Sequence, residues 1–280
     1  MFGQNQFGKK KFAASAVKSE YIPSEDFTFN AYGLQNLTRF GIHVSDYEIE
    51  TPKRDFRTKD TPGGHGLILQ QDWYRQNPIK INGWVSAPNK DALDSKIHEM
   101  MKNLQGQGGT LYMKNEGSFK ELVTTLQNAK FDNKHYSTTM KKFSLEFEGV
   151  KSFWRDKSYS SVAYAAQTGL TLNGQMNNGG SVEAEPVIIM IFSAADAITA
   201  VEFQNTTTGE TVSVAEAISD GDVLIFDSEA KTVKLNGVEL EFSGRLPALQ
   251  VGINSITIGL TGTSATYDVT AKQKNQYLTP

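Results

Sequence analysis

Residues 169–270 consist of short apolar or alternating segments separated by turn residues, and no helical period runs through them. Such spacing is typical of strands in an all-β domain. The pair Asn236-Gly237 predicts a hairpin, because both residues tolerate the positive φ angles that a tight turn requires. The apolar run at 187–192 is expected to form a strand buried on both faces. Seven or more such strands in roughly 110 residues predict a β-sandwich.

The earlier residues combine strand-like segments with one helix. Strands are predicted where apolar and polar residues alternate, at 27–29, 47–49, 79–85 and 143–148. Residues 91–104 instead repeat apolar side chains at the helical period, which predicts one amphipathic helix. Its apolar stripe comprises Leu93, Ile97, Met100, Met101 and Leu104. Asn89 is the expected N-cap, and Gly106 is expected to end the helix.

The charge of the chain is unevenly distributed. Residues 1–160 contain 23 Lys and Arg against 18 Asp and Glu, whereas residues 161–280 contain 5 against 13. All three tryptophans and 12 of the 16 phenylalanines also lie in the first part. In a chain of 280 residues this contrast predicts two domains with separate surfaces.

Composition also indicates where the domains begin and end. We predict an N-terminal arm at 1–25, a first domain at 26–158, a small and polar linker at 159–168, a second domain at 169–270 and a C-terminal tail at 271–280. Within the first domain, residues 51–66 are rich in charge, proline and glycine, so we expect a long exposed loop there. Loops of that length usually contact another molecule.

The residue types that catalysis or metal binding needs do not occur in useful arrangements. The chain has no cysteine, which excludes disulfides, thiolate metal sites and cysteine nucleophiles. The four histidines form no pair at metal-ligand spacing, and no G-x-S-x-G motif occurs. The acidic pairs Glu183/Glu185 and Glu239/Glu241 have the i, i+2 spacing of one solvated strand face. We therefore expect no enzyme activity, no metal and no cofactor.

Phosphate, nucleic-acid and membrane sites are not expected either. The run Gly63-Gly64-His65-Gly66 lacks the pattern of a phosphate-binding loop. Three consecutive lysines at 9–11 are compatible with nucleic-acid phosphates, but a solvated arm explains them better. The longest apolar run is far shorter than the roughly 20 residues that a membrane-spanning helix needs. The first residues have no apolar stretch of the kind found in secretory signals.

Several motifs, taken in their order along the chain, resemble the siphophage distal tail protein family. In the first part the resemblance rests on INGWV at 81–85, the amphipathic helix, GTL at 109–111 and the aromatic FWRD at 153–156. In the second part it rests on GDVLIFD at 221–227, VKLNG at 233–237, LPAL at 246–249 and GINSI at 252–256. Together these motifs extend over most of the chain.

The resemblance implies a mainly β protein with an α+β first domain. That domain would be a tail-tube-like β-barrel or sandwich with one flanking helix, followed by a galectin-like or carbohydrate-module-like β-sandwich. The implied role is structural: a hexameric ring at the distal end of a long non-contractile tail tube, connecting the tube to the tail tip or hub and letting DNA pass. The protein would then belong to the virion tail tip, assembled in the host cytoplasm.

The implied partners are further copies of the chain, the last tail tube ring, a tail hub or tail-associated protein, and receptor-binding or side-fibre proteins. DNA would be passing cargo only, and no membrane insertion is implied. We expect the loop at 51–66 and the N-terminal arm to carry the inter-ring and partner contacts. The candidate residues are Lys53, Arg54, Asp55, Arg57, Lys59, Asp60 and His65 in the loop, and Lys9, Lys10 and Lys11 in the arm.

Two other functions remain open, namely a carbohydrate-binding module for host-surface glycan and the tail tube protein itself. Sugar sites usually stack the sugar ring on exposed aromatic side chains. Residues 170–270 contain no tryptophan and a single tyrosine, Tyr267. Phe203, Phe226 and Phe242 lie in alternating segments and are expected in the core. We therefore favour a protein-docking or architectural role for the second domain.

Overall fold

The computed structural model describes residues 16–17, 27–29, 32–33, 41–60, 67–105, 108–115, 118–132 and 138–280. The chain divides into two compact units. The first comprises Met1–Trp154 with Leu278–Pro280, and the second comprises Arg155–Tyr277. No helix in the described ranges has both the length and the hydropathy needed to cross a membrane.

In the described ranges, the first unit consists of strands and one helix. Its elements are β1 (Ala16–Val17), β2 (Phe27–Phe29), β3 (Tyr32–Gly33), β4 (Ile42–Glu50), β5 (Lys53–Asp60), β6 (Leu67–Arg75), β7 (Ile79–Ser86), α1 (Lys90–Leu104), β8 (Gly109–Asn115), β9 (Ser118–Phe131) and β10 (Met140–Gly149). Eight strands form one antiparallel sheet in the order β1-β4-β7-β10-β9-β8-β2-β3. This order stays open among the described residues, so the sheet is sandwich-like rather than a closed barrel. Strands β5 and β6 pair with each other in a separate two-stranded sheet.

Alternation along the central strands creates the core of the first unit. Every second side chain of β7, from Ile79 to Val85, is buried, and the residues between them are more exposed. Strands β4 and β10 alternate in the same way, which places their apolar residues on the same face of the sheet. Fully burying one such side chain contributes about 1.5–3 kcal/mol.

Helix α1 follows the prediction closely. Asn89 is the N-cap, and its side-chain oxygen accepts a hydrogen bond of 2.9 Å from the backbone N–H of Ala92. Leu93, Met100 and Leu104 of the predicted stripe are buried. The helix ends at Leu104, and the expected terminator Gly106 lies outside the described residues.

The second unit is a two-sheet β-sandwich, as the sequence predicts. Two short strands, β11 (Trp154–Asp156), which begins at the last residue of the first unit, and β23 (Gln276–Tyr277), pair with each other outside the sandwich. The strands of the sandwich are β12 (Ser160–Thr168), β13 (Thr171–Asn178), β14 (Val187–Asp196), β15 (Ala200–Asn205), β16 (Glu210–Val214), β17 (Val223–Asp227), β18 (Thr232–Leu235), β19 (Val238–Leu240), β20 (Ser243–Gly244), β21 (Gly252–Thr261) and β22 (Ser264–Gln273). One sheet has the order β12-β22-β14-β17-β18-β19, and the other has the order β13-β21-β15-β16-β20. The predicted turn at Asn236-Gly237 joins β18 to β19 with φ angles of 53° and 84°.

The inner faces of the two sheets form one apolar core. Phe203 and Phe226 are completely buried in it, with ring centroids 6.0 Å apart. Phe242 is 36% exposed, so the prediction of a core position is wrong for this residue. It lies two residues after the end of β19, in the short connection to β20, so it is outside the regular alternation of a strand.

The run at 187–192 is not buried on both faces, in contrast to the prediction. Ile188, Met190 and Phe192 lie in the core, whereas Ile191 is 49% exposed. The outer face of this sheet has no second layer over it among the described residues of the unit. The apolar residues of this run therefore lie on both faces of the strand, although only one of these faces is buried.

The segment predicted as a linker, 159–168, is instead an edge strand. Strand β12 pairs with β22 through most of its length, with an irregularity between Tyr164 and Gln167. Most of its side chains are exposed, so it lacks the apolar alternation that identifies a strand in the sequence. The predicted tail at 271–280 also includes strand structure, because β22 extends to Gln273 and β23 follows. Of the predicted arm at 1–25, only the backbone of β1 lies within the described residues.

Candidate interaction site

The charged segment predicted as a loop is largely a β-hairpin. Strand β5 occupies Lys53–Asp60 and pairs with β6 at Leu67–Arg75. The loop prediction is wrong because charged residues are also tolerated in a strand that is covered on neither face. Residues 61–66, which connect the two strands, lie outside the described residues.

The hairpin sorts its side chains onto two faces. Its register pairs Arg54 with Tyr74 and Asp55 with Trp73. Because side chains alternate along a strand, Arg54, Phe56 and Tyr74 share one face. Asp55, Trp73 and the residues that alternate with the first set along the two strands share the opposite face. Each face thus combines charged groups with an aromatic side chain.

Three aromatic side chains of the hairpin are exposed to solvent. Phe56 is 63% exposed, Trp73 45% and Tyr74 37%. Aromatic residues are enriched in the centres of protein interfaces, where their burial contributes much of the binding energy. Three of them on one small hairpin therefore mark a candidate docking surface, which we call the hairpin surface and define as the described side chains at 53–58 and 73–75.

Local contacts hold parts of the hairpin surface in place. The Lys53 ammonium lies 3.2 Å from the Asp55 carboxylate, and the Arg54 guanidinium carbon lies 6.0 Å from the Tyr74 ring centroid. Tyr74 also packs edge-on against Phe153, with centroids 5.2 Å apart. Exposed ion pairs of this kind contribute only about 0–1 kcal/mol, so they orient side chains more than they stabilise the fold.

The structure brings part of the predicted contact set together. Lys53, Arg54, Asp55 and Arg57 all lie on β5, and three of them are exposed while Asp55 is half-buried. Lys59 and Asp60 are on the same strand, but their side chains are not among those described. His65, Lys9, Lys10 and Lys11 lie outside the described residues. That these residues contact other tail proteins remains a prediction.

The sequence prediction of contacts omitted the three exposed aromatics. Trp73 and Tyr74 follow the segment predicted to be a loop, and Phe56 lies among its charged residues. The available signal was the pair Gly63-Gly64, which is typical of a hairpin connection, followed by the apolar segment at 67–69. Charge alone pointed to this region, but the aromatic residues define its two faces.

The described residues contain no cluster of three or more metal-ligating side chains. Glu185 of the acidic pair at 183 and 185 forms an ion pair of 2.9 Å with Lys231. His43 stacks on Trp84, and burial together with the positive charge of Lys96 lowers the pKa of its imidazole. Burial raises the pKa of the Tyr267 phenol, whose side chain is completely enclosed. Burial is the main cause of both pKa shifts, and for His43 the neighbouring Lys96 adds to it.

Two family models match the sequence. Residues 28–148 match a phage tail protein RIFT-related domain, and residues 179–277 match the C-terminal domain of siphovirus-type tail components. The two matches follow each other along the chain and lie in the two compact units. A comparison with curated proteins found no significant match.

Solved structures with a similar fold include the Dit protein of phage SPP1, described as a paradigm of the hub adsorption apparatus in phages that infect Gram-positive hosts. The likeness has a TM-score of 0.67 at 13% identity and covers 89% of this chain and 98% of the SPP1 chain. A chain of the phage P2 baseplate in its activated conformation with calcium has a TM-score of 0.44 at 8% identity, covering 80% of this chain and 87% of that one. At 13% identity the first likeness shows a shared fold.

Proposed function

The chain belongs to the siphophage distal tail protein family, and from that premise we propose that six copies form a ring at the distal end of a long non-contractile tail tube. The protein is a structural component of the phage tail and its baseplate hub. In the proposed role the ring joins the last tube ring to the tail hub and leaves a channel for DNA. The role is architectural and involves no catalysis.

The succession of two tail-component domains in one chain carries this proposal. The first domain alone would suffice for a tail tube protein, whereas the second domain at 179–277 gives the chain an additional surface. That surface is the reason to favour a connecting ring over the tube itself. We assign assembly to the host cytoplasm and the finished protein to the virion tail tip.

The open sheet of the first unit supports contacts between copies. Strands β1 and β3 each have a single neighbour in the sheet order and thus present unpaired backbone groups among the described residues. Such edges are prone to pair with another chain. A closed ring consists of heterologous contacts, in which each copy offers two different surfaces, and the two ends of one sheet supply such a pair.

The hairpin surface supports contacts with other tail proteins. It combines three exposed aromatic residues with basic and acidic side chains, and this mixture suits a protein partner better than a passing DNA strand. We assign to it the contact with the last tube ring or the tail hub. Receptor-binding or side-fibre proteins are the proposed partners of the second unit.

Multi-angle light scattering of the purified chain tests the ring. Six copies of a 30.9 kDa chain have a mass of about 185 kDa. We expect that mass either for the protein alone or after incubation with purified tail tubes, because some rings assemble only on a partner. A mass near 31 kDa over the accessible concentration range, combined with no binding to tail tubes, would contradict the proposal.

A further inference from the structure

The connection between β20 and β21 leads to two strongly exposed aliphatic side chains. Val251 is 57% exposed, and Ile253 is 67% exposed, the largest exposed fraction among the large apolar side chains of the described residues. Gly252 separates them at a positive φ angle of 97°, and an added Cβ there would have no atom within 4 Å. The chain therefore turns in open solvent at this point. We call Val251 and Ile253 the aliphatic pair.

A buried asparagine holds the backbone around the aliphatic pair. Asn254 is completely buried, and its side-chain oxygen accepts a hydrogen bond of 2.9 Å from the backbone N–H of Gln250. Its amide group donates to the backbone carbonyls of Gln250 at 2.8 Å and of Gly252 at 3.0 Å. One side chain therefore fixes the residue before Val251 and the residue between the two members of the pair.

The preceding residues of the connection are held in the same way. Three further buried side chains donate to consecutive backbone carbonyls, namely Ser228 to Pro247 at 2.9 Å, Asn205 to Ala248 at 2.6 Å and Asn178 to Leu249 at 3.1 Å. Surface loops are usually more mobile than the strands they join, and ordering them on binding costs conformational entropy. The fold already fixes this loop, so a partner that contacts it meets a smaller entropic cost.

No charged residue belongs to this part of the chain. Residues 246–267 contain no Lys, Arg, His, Asp or Glu. On the neighbouring strand, the residue opposite Ile253 is Asn177, which is also uncharged. Burying a charge costs free energy unless a counter-charge compensates it, and the centres of protein interfaces are accordingly depleted in charged residues. The aliphatic pair can therefore be buried against another molecule without desolvating a charge of its own segment.

Charge and polarity decide which kind of molecule suits the aliphatic pair. An anionic membrane surface is disfavoured, because residues 161–280 contain 13 Asp and Glu against 5 Lys and Arg. A second copy of the chain offers an open groove on its second unit, but polar side chains such as Asn173, Gln175 and Thr257 line that groove. An apolar pocket without charges, on a different protein, is the complementary receptor.

We propose that the aliphatic pair anchors the second unit in an uncharged apolar pocket of a receptor-binding or side-fibre protein. The proposal rests on the assignment of these partners to the second unit, and it names the residues that bind them. Burial of the two aliphatic side chains supplies free energy for docking, and the fixed backbone keeps the pair in place. This anchor is separate from the hairpin surface, which belongs to the first unit and is aromatic and charged.

Calorimetry of the full-length chain with the purified receptor-binding or side-fibre protein of the same phage tests the anchor. We expect saturable binding by the parent chain. The double variant Val251→Ser/Ile253→Ser should weaken it by about tenfold or more, because it removes most of the aliphatic surface. Val251→Ile/Ile253→Val exchanges the two side chains and retains their total volume, so its affinity should stay within about threefold of the parent. Ile191 is 49% exposed on the other sheet, and Ile191→Ser should bind like the parent.

Three outcomes would overturn the proposal. The first is binding that survives in Val251→Ser/Ile253→Ser, or that is lost to the same extent in Ile191→Ser. The second is binding of the pair to vesicles of phosphatidylcholine and phosphatidylglycerol, or to a second copy of the chain, in place of the partner protein. The third is the absence of binding by the parent chain, which also contradicts the partner assignment of the proposed function.

The ring is tested separately from the anchor. Circular dichroism and thermal unfolding of each variant should match the parent, because every substituted side chain is exposed. The light-scattering mass of each variant should also match. A ring that fails to form while partner binding still depends on the aliphatic pair contradicts the ring and leaves the anchor in place.

Discussion

The hydroxyl of Tyr164 lies 2.8 Å from both the backbone nitrogen and the backbone oxygen of Gln175. Strand β13 is at the edge of its sheet, so these backbone groups have no neighbouring strand to pair with. One side chain from the opposite sheet therefore satisfies two backbone groups and covers part of an edge. Covered edges protect a sheet from pairing with other chains.

Removing this hydroxyl should loosen the edge. In Tyr164→Phe the ring stays in place, but the backbone groups of Gln175 lose both bonds and must turn to water. We expect a loss of about 0.5–1.5 kcal/mol, because the groups are exposed enough to be hydrated. Hydrogen exchange should be faster at Gln175 and unchanged in the central strand β14. Unchanged exchange at Gln175 would contradict this account of the edge.

Gly174 is expected to be intolerant of any side chain. The Cβ of Gly174→Ala would lie 2.6 Å from the Tyr164 ring, so the ring must move and its bonds to Gln175 must break. We expect a loss of about 1–3 kcal/mol in thermal or urea unfolding of the second unit. The matched control is Gly259→Ala on β21, where the nearest atom would be 4.0 Å away. That variant should differ from the parent by less than about 1 kcal/mol.

Asn254 should be among the most sensitive polar positions. It is completely buried, and its side chain bonds the backbone N–H and carbonyl of Gln250, the carbonyl of Gly252 and the side chain of Asn205. Asn254→Ala leaves these buried groups without partners and should cost about 2–4 kcal/mol. Asn177→Ala, an exposed position on β13, is the control and should change stability by less than about 0.5 kcal/mol. Equal stability of the two variants would refute the role of Asn254.

His43 should make the stability of the first unit depend on pH. The pKa of its imidazole is lowered in the fold, first by burial and then by Lys96. Below the ordinary pKa of 6.5 the unfolded chain binds a proton before the folded chain does, so stability falls as the pH drops from 7.5 toward 5. His43→Gln should flatten this dependence, whereas His98→Gln should retain it because His43 and Lys96 remain in place. All three tryptophans belong to the first unit, so tryptophan fluorescence measures its unfolding.

The hairpin surface should affect assembly and leave folding intact. Phe56→Ser/Trp73→Ser removes two exposed rings, so we expect a change in stability of less than about 0.5 kcal/mol. Association with other tail proteins should weaken by about tenfold or more. Val238→Ser, an exposed apolar residue of the second unit, should not have this effect. Deleting residues 58–63 should also weaken association with other tail proteins. If the ring still docks after this deletion, the hairpin surface is not the docking surface.

Local sequence patterns predicted elements whose cause is local. The stripe from Leu93 to Leu104 with Asn89 before it predicts α1, because one apolar face at the helical period and one N-cap are sufficient. The turn at Asn236-Gly237 is equally local. The two-unit organisation was also predictable, because charge and aromatic content differ between the two parts of the chain. The sandwich of the second unit was predictable because turn residues separate the strands of that unit at regular intervals.

Sequence patterns gave wrong predictions where the neighbouring strands and layers determine whether a segment forms a strand and how exposed its side chains are. Strand β12 is polar because its side chains face solvent, and pairing with β22 alone makes it a strand. Strand β5 is charged because the hairpin lies outside the main sheet. Ile191 belongs to an apolar run but is exposed, because the sheet is covered on one face only. In each case hydrogen bonding or coverage by distant residues outweighs composition.

The amino-acid sequence by itself determined the β-rich class of this protein, the helix α1 and the absence of cysteine chemistry, because these depend on residue type and on spacing between near neighbours. It also carried the family resemblance that the domain matches bear out. Only the tertiary structure decided that three aromatics share one exposed hairpin and that Tyr164 lies beside Asn173 and Gln175. Those groupings join residues on different strands, and strand pairing and sheet packing, which place them, are not encoded in the spacing of residues along the chain.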